Sequence, residues 1–315
     1  MIKFKVKVIK MTKTELVEKI KIAKKEKDTV ILAHTYQNPD IIDIADITGD
    51  SYALSVAAEK LSEKRVVMCG VQFMAETVKI LSPEKEVVLA SKGASCAMAK
   101  QISPERVLEF KKANPDVCVV AYINTTTALK AVCDVCVTSS TAVKIVNSIE
   151  NKDILFIPDK NLGAHVKAQC PDKNIILWDG FCPVHNQITA QDVMEARSLH
   201  PDATVAMHPE CPSEALALAD MVGATSGIID YCKKVDTPVI IATERGVCDY
   251  LSLKNPDRRF YQLAPEKLVC PDMKLTTLED VLLAINGEGG EEIELAEDVR
   301  LAAKGCIDNM IKYSK

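Results

Sequence analysis

Three cysteines recur at nearly equal intervals and could together hold a metal centre. Cys96 and Cys182 lie 86 residues apart, and Cys270 follows after another 88. The segments that follow Cys96 and Cys182 are related, since Gln101 and Gln187 stand at matching positions. Three thiolates that meet can bind an iron–sulfur cluster or zinc, and three protein ligands leave one metal position open for a substrate. The alternative at this point is that the cysteines pack in a core and that their spacing only follows the repeat.

Polar side chains recur with the same period at the ends of apolar runs. One set ends the runs TVILAH, VCVVAY and ATVAMH, and a second set stands two residues further along; the two sets are His34, Tyr122 and His208, and Tyr36, Asn124 and Glu210. Ligands of parallel α/β sheets bind beyond the carboxyl ends of the strands. We therefore expect these side chains to converge on one site if the repeats are related by a pseudo-threefold axis.

A third set consists of hydroxyl residues that each follow an aspartate by five positions: Ser51 after Asp46, Ser139 after Asp134, and Thr225 after Asp220. We predict that each hydroxyl residue is the N-cap of a helix, where free N–H groups and the helix dipole favour anions. Three such positions around one centre would suit a small substrate with several carboxylates or a phosphate.

The elements that must position these residues alternate between strands and helices. Apolar, β-branched runs predict strands, while a capping box at Thr12 and a proline at position 104 mark the starts of helices. Further helices are predicted after Thr189, after Thr277 and over residues 292–313. A tight turn is predicted at residues 49–51, and residues 1–10 are predicted to form a terminal strand or an extension.

This order predicts an α/β protein of three similar three-layer α/β/α units, whose mainly parallel sheets surround a pseudo-threefold axis. The predicted units are residues 1–96, onto which residues 275–315 pack back, residues 97–182, and residues 183–274. Because no low-complexity linker separates the units, they should pack tightly against one another.

The composition is that of a globular protein with ample core: 315 residues, 48% hydrophobic and 26% charged. A net charge of −5 and a pI near 5.7 argue against a nucleic-acid surface or a basic membrane anchor, and no apolar run approaches a transmembrane length. We expect a cytoplasmic protein, in which the twelve cysteines are not a disulfide framework. The Cys133–Cys136 pair has no second CxxC to complete a zinc ribbon and is interpreted as structural.

Motifs along the chain resemble those of the quinolinate synthase family. They are AHTYQ from residue 33, DIAD and GDS from residues 43 and 49, GVQFMAE from residue 70, YINT from residue 122, TSS from residue 138, PDKNLG from residue 158, CPVH from residue 182, HPECP from residue 208 and CPDMK from residue 270. The resemblance runs in unbroken order over residues 12–285. It implies three α/β units around a pseudo-threefold axis with a [4Fe–4S] cluster at the centre.

By the same resemblance, Cys96, Cys182 and Cys270 are the cluster ligands. The substrate pocket would contain residues from all three units, namely His34, Tyr36, Ser51, Tyr122, Asn124, Ser139, His185, His208, Glu210 and Thr225. Tyr36 and Glu210 are the candidates for proton transfer, and His208 and Tyr122 are the other catalytic candidates.

Two positions depart from the family pattern. Thr35 stands where tyrosine or asparagine is usual, and Ala224 stands where serine is usual. The second difference removes one hydroxyl expected near the substrate, so the carboxylate or phosphate contacts of this loop are left open.

The resemblance implies that iminoaspartate and dihydroxyacetone phosphate condense to quinolinate, phosphate and water in NAD biosynthesis, with the open iron as a Lewis acid. L-Aspartate oxidase, which makes iminoaspartate, is the expected transient partner. Other enzymes with three cysteines around a cluster are the alternative: the isoprenoid diphosphate reductase and the radical enzyme of diphthamide synthesis. A structural zinc protein and an iron–sulfur redox sensor are the non-enzymatic alternatives.

Overall fold

The computed structural model describes residues 11–315 and shows an α/β protein with three separate, mostly parallel sheets. The predicted fold class is confirmed. The prediction for residues 1–10 lies outside the described residues. The parallel strands of each sheet come from one of three consecutive segments, and each segment alternates helix and strand four times.

The first segment carries the elements α1 (Lys13–Glu26), β1 (Thr29–His34), α2 (Pro39–Ile44), β2 (Ile47–Gly49), α3 (Ser51–Ala58), β3 (Arg65–Cys69), α4 (Gln72–Leu81) and β4 (Glu86–Leu89). The predicted capping box begins α1, because the Thr12 side chain accepts from the backbone N–H of Glu15 and the Glu15 side chain accepts in return. The central strand β1 is buried along its whole length, as its apolar, β-branched sequence predicts.

The second segment carries α5 (Pro104–Ala113), β5 (Cys118–Tyr122), α6 (Thr127–Lys130), β6 (Val135–Val137), α7 (Ala142–Ser148), β7 (Asp153–Ile157), α8 (Lys160–Gln169) and β8 (Asn174–Leu177). The third carries α9 (Ala190–Leu199), β9 (Thr204–Met207), α10 (Ser213–Leu216), β10 (Met221–Val222), α11 (Thr225–Lys234), β11 (Val239–Ala242), α12 (Arg245–Lys254) and β12 (Phe260–Gln262).

The three sheets share one topology. In each, the second strand pairs with the first, the first with the third and the third with the fourth, all in parallel: β2-β1-β3-β4, β6-β5-β7-β8 and β10-β9-β11-β12. Because the strands of each sheet run the same way, the ends of all three first strands carry the polar residues singled out in the sequence.

Three aspartates hold equivalent positions in the three segments. The side chains of Asp46, Asp134 and Asp220 accept hydrogen bonds from backbone N–H groups in the first strands, at 2.9, 2.7 and 2.7 Å. Each also pairs with a basic residue of the helix that begins its segment: Lys24, Lys111 and Arg197. The repeated aspartates therefore fix helix to sheet, and their spacing has a structural cause.

The chain ends with α13 (Leu278–Asn286), β13 (Glu291–Glu292) and α14 (Glu297–Ser314). Helix α13 lies against α1 and β3, and β13 pairs antiparallel with β4. We expected all of residues 275–315 to pack on the first segment. Instead, α14 lies mostly against α6, β6 and α7 of the second segment, and only partly against α4.

Several predicted boundaries were wrong. Asp50, not Ser51, is the N-cap of α3, and its side chain accepts from Ala53 N–H at 2.9 Å. Ser139 lies in the turn before α7, and Thr225 is the first residue of α11, whose N-cap is Ala224. The last helix begins at Glu297 and not at 292, because residues 291–292 join the first sheet. The predicted turn at 49–51 overlooked the short strand β2.

Within residues 11–315, no helix combines the length and apolar character needed to cross a membrane.

Candidate functional site

The carboxyl ends of the three sheets meet at a cavity of about 150 Å³, with room for roughly five water molecules at the volume each takes in the liquid. The predicted site residues line it: Cys96, Cys182, Cys270, His34, Tyr36, Ser51, Tyr122, Asn124, Ser139, His185, His208, Glu210 and Thr225. The convergence expected from the pseudo-threefold repeat is therefore present in the structure. Although Ser51, Ser139 and Thr225 are not N-caps, all three line this cavity.

The three cysteines reach the cavity on similar loops. Each loop leaves its sheet and runs into a single turn of 3₁₀-helix: Met98–Lys100, His185–Gln187 and Asp272–Lys274. Cys96, Cys182 and Cys270 are partly exposed, whereas eight of the other nine cysteines are buried in the fold. No other cysteine of residues 11–315 lines the cavity. The donor set is thus three soft sulfur ligands with no fourth, which fits a cluster or metal ion with one open position.

Burial raises the pKa of all three thiols. That of Cys96 rises to about 12, that of Cys270 to about 11, and that of Cys182 well above its usual value. Because the thiolate is the ligand form, a bound cationic centre must displace these protons. The three sulfur donors and the cavity that they share together fit an iron–sulfur cluster.

Beside the thiol of Cys182 lies a buried group of His185, His208 and Glu210. His185 Nδ1 is 2.7 Å from Glu210 Oε2 and 3.3 Å from Cys182 Sγ. The imidazole rings of His185 and His208 stack with their centroids 4.9 Å apart. Burial alone would raise the pKa of Glu210, but the two neighbouring rings lower it to about 2. Burial lowers the pKa of His208 to about 3, so that ring is neutral near pH 7.

Tyr36 faces this group from the first segment. Its hydroxyl lies 3.1 Å from Thr225 Oγ1 and 3.0 Å from Thr243 Oγ1. Burial raises the pKa of Tyr36 well above its usual value, so the phenol keeps its proton. The backbone N–H of Tyr36 donates to His34 Nδ1 at 3.1 Å, just as that of Glu210 donates to His208 Nδ1 at 3.3 Å. The two strand ends therefore position a phenol and a carboxylate in the same way.

The second segment supplies an amide and a second phenol. The buried Oδ1 of Asn124 lacks a hydrogen-bond partner among the described residues. A buried acceptor of this kind costs free energy unless a ligand donates to it, which indicates that the cavity binds a molecule with an N–H or O–H group. Burial and the charge of Glu210 raise the pKa of Tyr122, which is likewise a neutral phenol.

Sequence reasoning missed Thr243, Glu244 and Asp159, all of which are fully buried at the site. The hydroxyl of Thr243 bridges the Tyr36 hydroxyl and His185 Nε2, at 3.0 Å from each. Asp159 and Glu244 accept from the backbone N–H groups of Cys182 and Cys270. The two acids are 85 residues apart, close to the repeat, and this spacing was the signal that could have found them.

One further donor group could hold a single metal ion. Cys182, His185 and Glu210 each offer a ligand atom, and these atoms lie within 4.8 Å of one another. Sulfur, imidazole and carboxylate together are typical zinc ligands. A single metal ion is therefore the alternative to a cluster at this site.

Comparisons with known proteins give the family. The profile of the family described as "Quinolinate synthetase A protein" matches residues 18–312. The quinolinate synthase of Clostridioides difficile is 45% identical over 302 residues, which cover 96% of this chain and 99% of the relative. Those of Geobacter metallireducens and Caldicellulosiruptor bescii are each 46% identical, over 91% and 92% of this chain and 94% and 95% of the relatives. With its three-segment fold and cavity, the chain belongs to the quinolinate synthetase A family.

Proposed function

We propose that this protein condenses iminoaspartate with dihydroxyacetone phosphate, releasing quinolinate, phosphate and two molecules of water, and that it needs a [4Fe–4S] cluster to do so. The observation that carries the proposal is the meeting of three cysteines, one from each segment, at a single cavity. Membership in the family supports the reaction. The transformation requires loss of phosphate, carbon–carbon bond formation, ring closure and dehydration, and it involves no net electron transfer.

Cys96, Cys182 and Cys270 would hold the cluster. When bound, such a cluster supplies an open iron that acts as a Lewis acid towards a substrate oxygen or nitrogen. The absence of a fourth cysteine at the cavity, among residues 11–315, is what this role requires.

Glu210 and Tyr36 are proposed to move protons in opposite directions. With a pKa of about 2, Glu210 is a carboxylate that can accept a proton at its Oε atoms. Tyr36 keeps its proton at neutral pH and can donate it from its hydroxyl oxygen. Two groups with pKa values held this far apart can serve as base and acid in one site.

The remaining cavity residues are proposed to bind and orient substrate. The unpartnered amide oxygen of Asn124 accepts from a substrate N–H or O–H group. The neutral phenol of Tyr122 can donate to a substrate carboxylate, and His34, His185 and His208 complete the wall around it. The hydroxyls of Ser51, Ser139 and Thr225 are proposed to contact carboxylate or phosphate oxygens.

Supply of iminoaspartate is part of the proposal, because an imine of this kind hydrolyses in water. We propose a transient encounter with L-aspartate oxidase in the cytoplasm. Quinolinate yield should be higher when that oxidase and aspartate are mixed directly with the protein than when a dialysis membrane separates the oxidase from it. Equal yields would show that no encounter is needed.

The reaction is tested by a product assay on protein reconstituted anaerobically with iron and sulfide. Chromatography should detect quinolinate from the two substrates without any added electron donor. A protein that consumes neither substrate, or that acts only with a reductant, would contradict the proposal and favour the reductase or radical-enzyme alternative. One zinc per chain and no product would favour the structural alternative.

A further inference from the structure

Glu244 makes contacts that reach beyond its own segment. It follows β11, begins α12, and is fully buried. Its carboxylate accepts from Gly246 N–H at 2.7 Å and from the backbone N–H of Cys270 at 3.2 Å. One oxygen also lies 3.1 Å from Lys274 Nζ, four residues beyond Cys270. Glu244 therefore fixes the Cys270 loop at two points.

Lys274 extends this framework to the first segment. Its ammonium group donates to the backbone carbonyl of Tyr36 at 2.5 Å. The start of α12 touches the same peptide, because a Cβ atom added to Gly246 would lie 2.7 Å from the Tyr36 backbone. The backbone that carries the Tyr36 phenol is thus held by Lys274, the partner of Glu244, and is packed against the start of the helix that Glu244 caps.

The Cys270 loop in turn supports the Cys96 loop. Asp272, two residues after Cys270, accepts from the backbone N–H of Ser95 at 3.0 Å. A displacement of the loop after Cys270 would therefore also shift the loop that carries Cys96. Among residues 11–315 no lysine pairs with Asp159, which accepts from Cys182 N–H at 2.9 Å and from Leu162 N–H at 2.8 Å.

We propose that Glu244, paired with Lys274, is a positioning residue that holds the Cys270 loop and the Tyr36 backbone in one framework. This inference rests on the proposed function, since it concerns how the cluster ligands and the proposed acid are held. The pair joins a fully buried carboxylate to a partly buried ammonium. Removing one charge of such a pair is costly, because it leaves the other without a partner. Groups that orient metal ligands affect metal affinity about 10–100-fold when they are changed.

The experiment compares iron release from E244Q and from the wild type after anaerobic reconstitution. A ferrous chelator is added, and the visible absorbance of the cluster is followed with time. We expect E244Q to lose iron about 10–100-fold faster than the wild type. The matched control is E214Q, a change of the same type at an exposed position of α10, which should release iron at the wild-type rate.

A double variant tests the pairing itself. In E244Q/K274M neither charge remains, so iron release should be slower than in E244Q alone. Release as fast as or faster than in E244Q would contradict a charged pair. The ratio of kcat to bound iron reports on Tyr36, and it should fall in E244Q but not in E214Q.

Further measurements distinguish a folding defect in the variant from a change in how it holds iron. If circular dichroism shows that E244Q does not fold, the same experiment is done with E244D. The shorter side chain of aspartate keeps the charge but cannot reach both N–H groups, so E244D should also release iron faster than the wild type. Iron release from the folded variant at the wild-type rate would overturn the inference. If the wild type binds iron but forms no quinolinate, the proposed reaction is refuted. The role of Glu244 would still be tested by the rate of iron release.

Discussion

Replacing Glu210 by glutamine removes one buried negative charge from the cavity and keeps the size of the side chain. The pKa of this carboxyl lies at about 2 instead of 4.5, and this difference corresponds to about 3 kcal/mol in favour of the charged form. A carboxyl whose pKa is lower in the folded chain stabilises the fold above its unfolded value, and the contribution is lost as the pH falls through the folded value. Near pH 7 Glu210 is ionised, but His208 is neutral and adds no charge to this contribution.

The E210Q variant should therefore unfold with a free energy lower by up to about 3 kcal/mol, which for a chain of this length is a fall in Tm of up to about 5 °C. Glutamine also cannot accept a proton at neutral pH. If Glu210 is the proposed base, kcat should fall by about 10²–10⁴-fold, the usual contribution of a positioned acid or base. The visible spectrum of the cluster should persist, because the proposed ligands are the three cysteines.

The assay measures quinolinate from anaerobically reconstituted E210Q, with its rate normalised to bound iron. The control is again E214Q, which should match the wild type in both Tm and rate. A rate for E210Q within about threefold of the wild type, well short of the loss expected for a base, would refute the proposed role. An unchanged Tm would refute the expectation that the charge of Glu210 stabilises the fold.

Three further changes test single contacts. Thr243→Val removes the hydroxyl between Tyr36 and His185, so the rate of quinolinate formation should fall about tenfold or more while Thr243→Ser keeps it. Gly246→Ala places a Cβ atom against backbone, so Tm should fall, with a cost of about 1–3 kcal/mol by calorimetry or chemical denaturation. Ala224→Ser gives α11 a capping hydroxyl and should raise the free energy of unfolding by about 1 kcal/mol; no change would show that the cap is already satisfied.

Much of the fold could be predicted because its signals are local. The run TVILAH is apolar and β-branched along its length, and the structure buries it as β1. Capping boxes at Thr12, Thr189 and Thr277 begin the helices predicted there. The repeat of the cysteines also predicted that distant segments meet at one cavity, which they do.

What the sequence did not reveal depends on contacts between distant residues. Strand β13 forms because residues 291–292 pair with β4, some two hundred residues earlier, and this pairing delays the start of α14. Asp50 competes successfully with Ser51 for the cap of α3, although both residue types favour that position. Thr243 and Glu244 act by bridging segments, and neither a strand pattern nor a capping pattern marks such a role.

The most direct test of the account counts iron and acid-labile sulfide per chain after anaerobic reconstitution. The wild type should contain about four of each, and so should Cys232→Ala, which alters a buried cysteine of α11 away from the cavity. Cys96→Ala, Cys182→Ala and Cys270→Ala should each lose most of both. A single zinc ion in the wild type, or a complete cluster in any of the three cavity variants, would contradict the claim that these three thiols hold one centre.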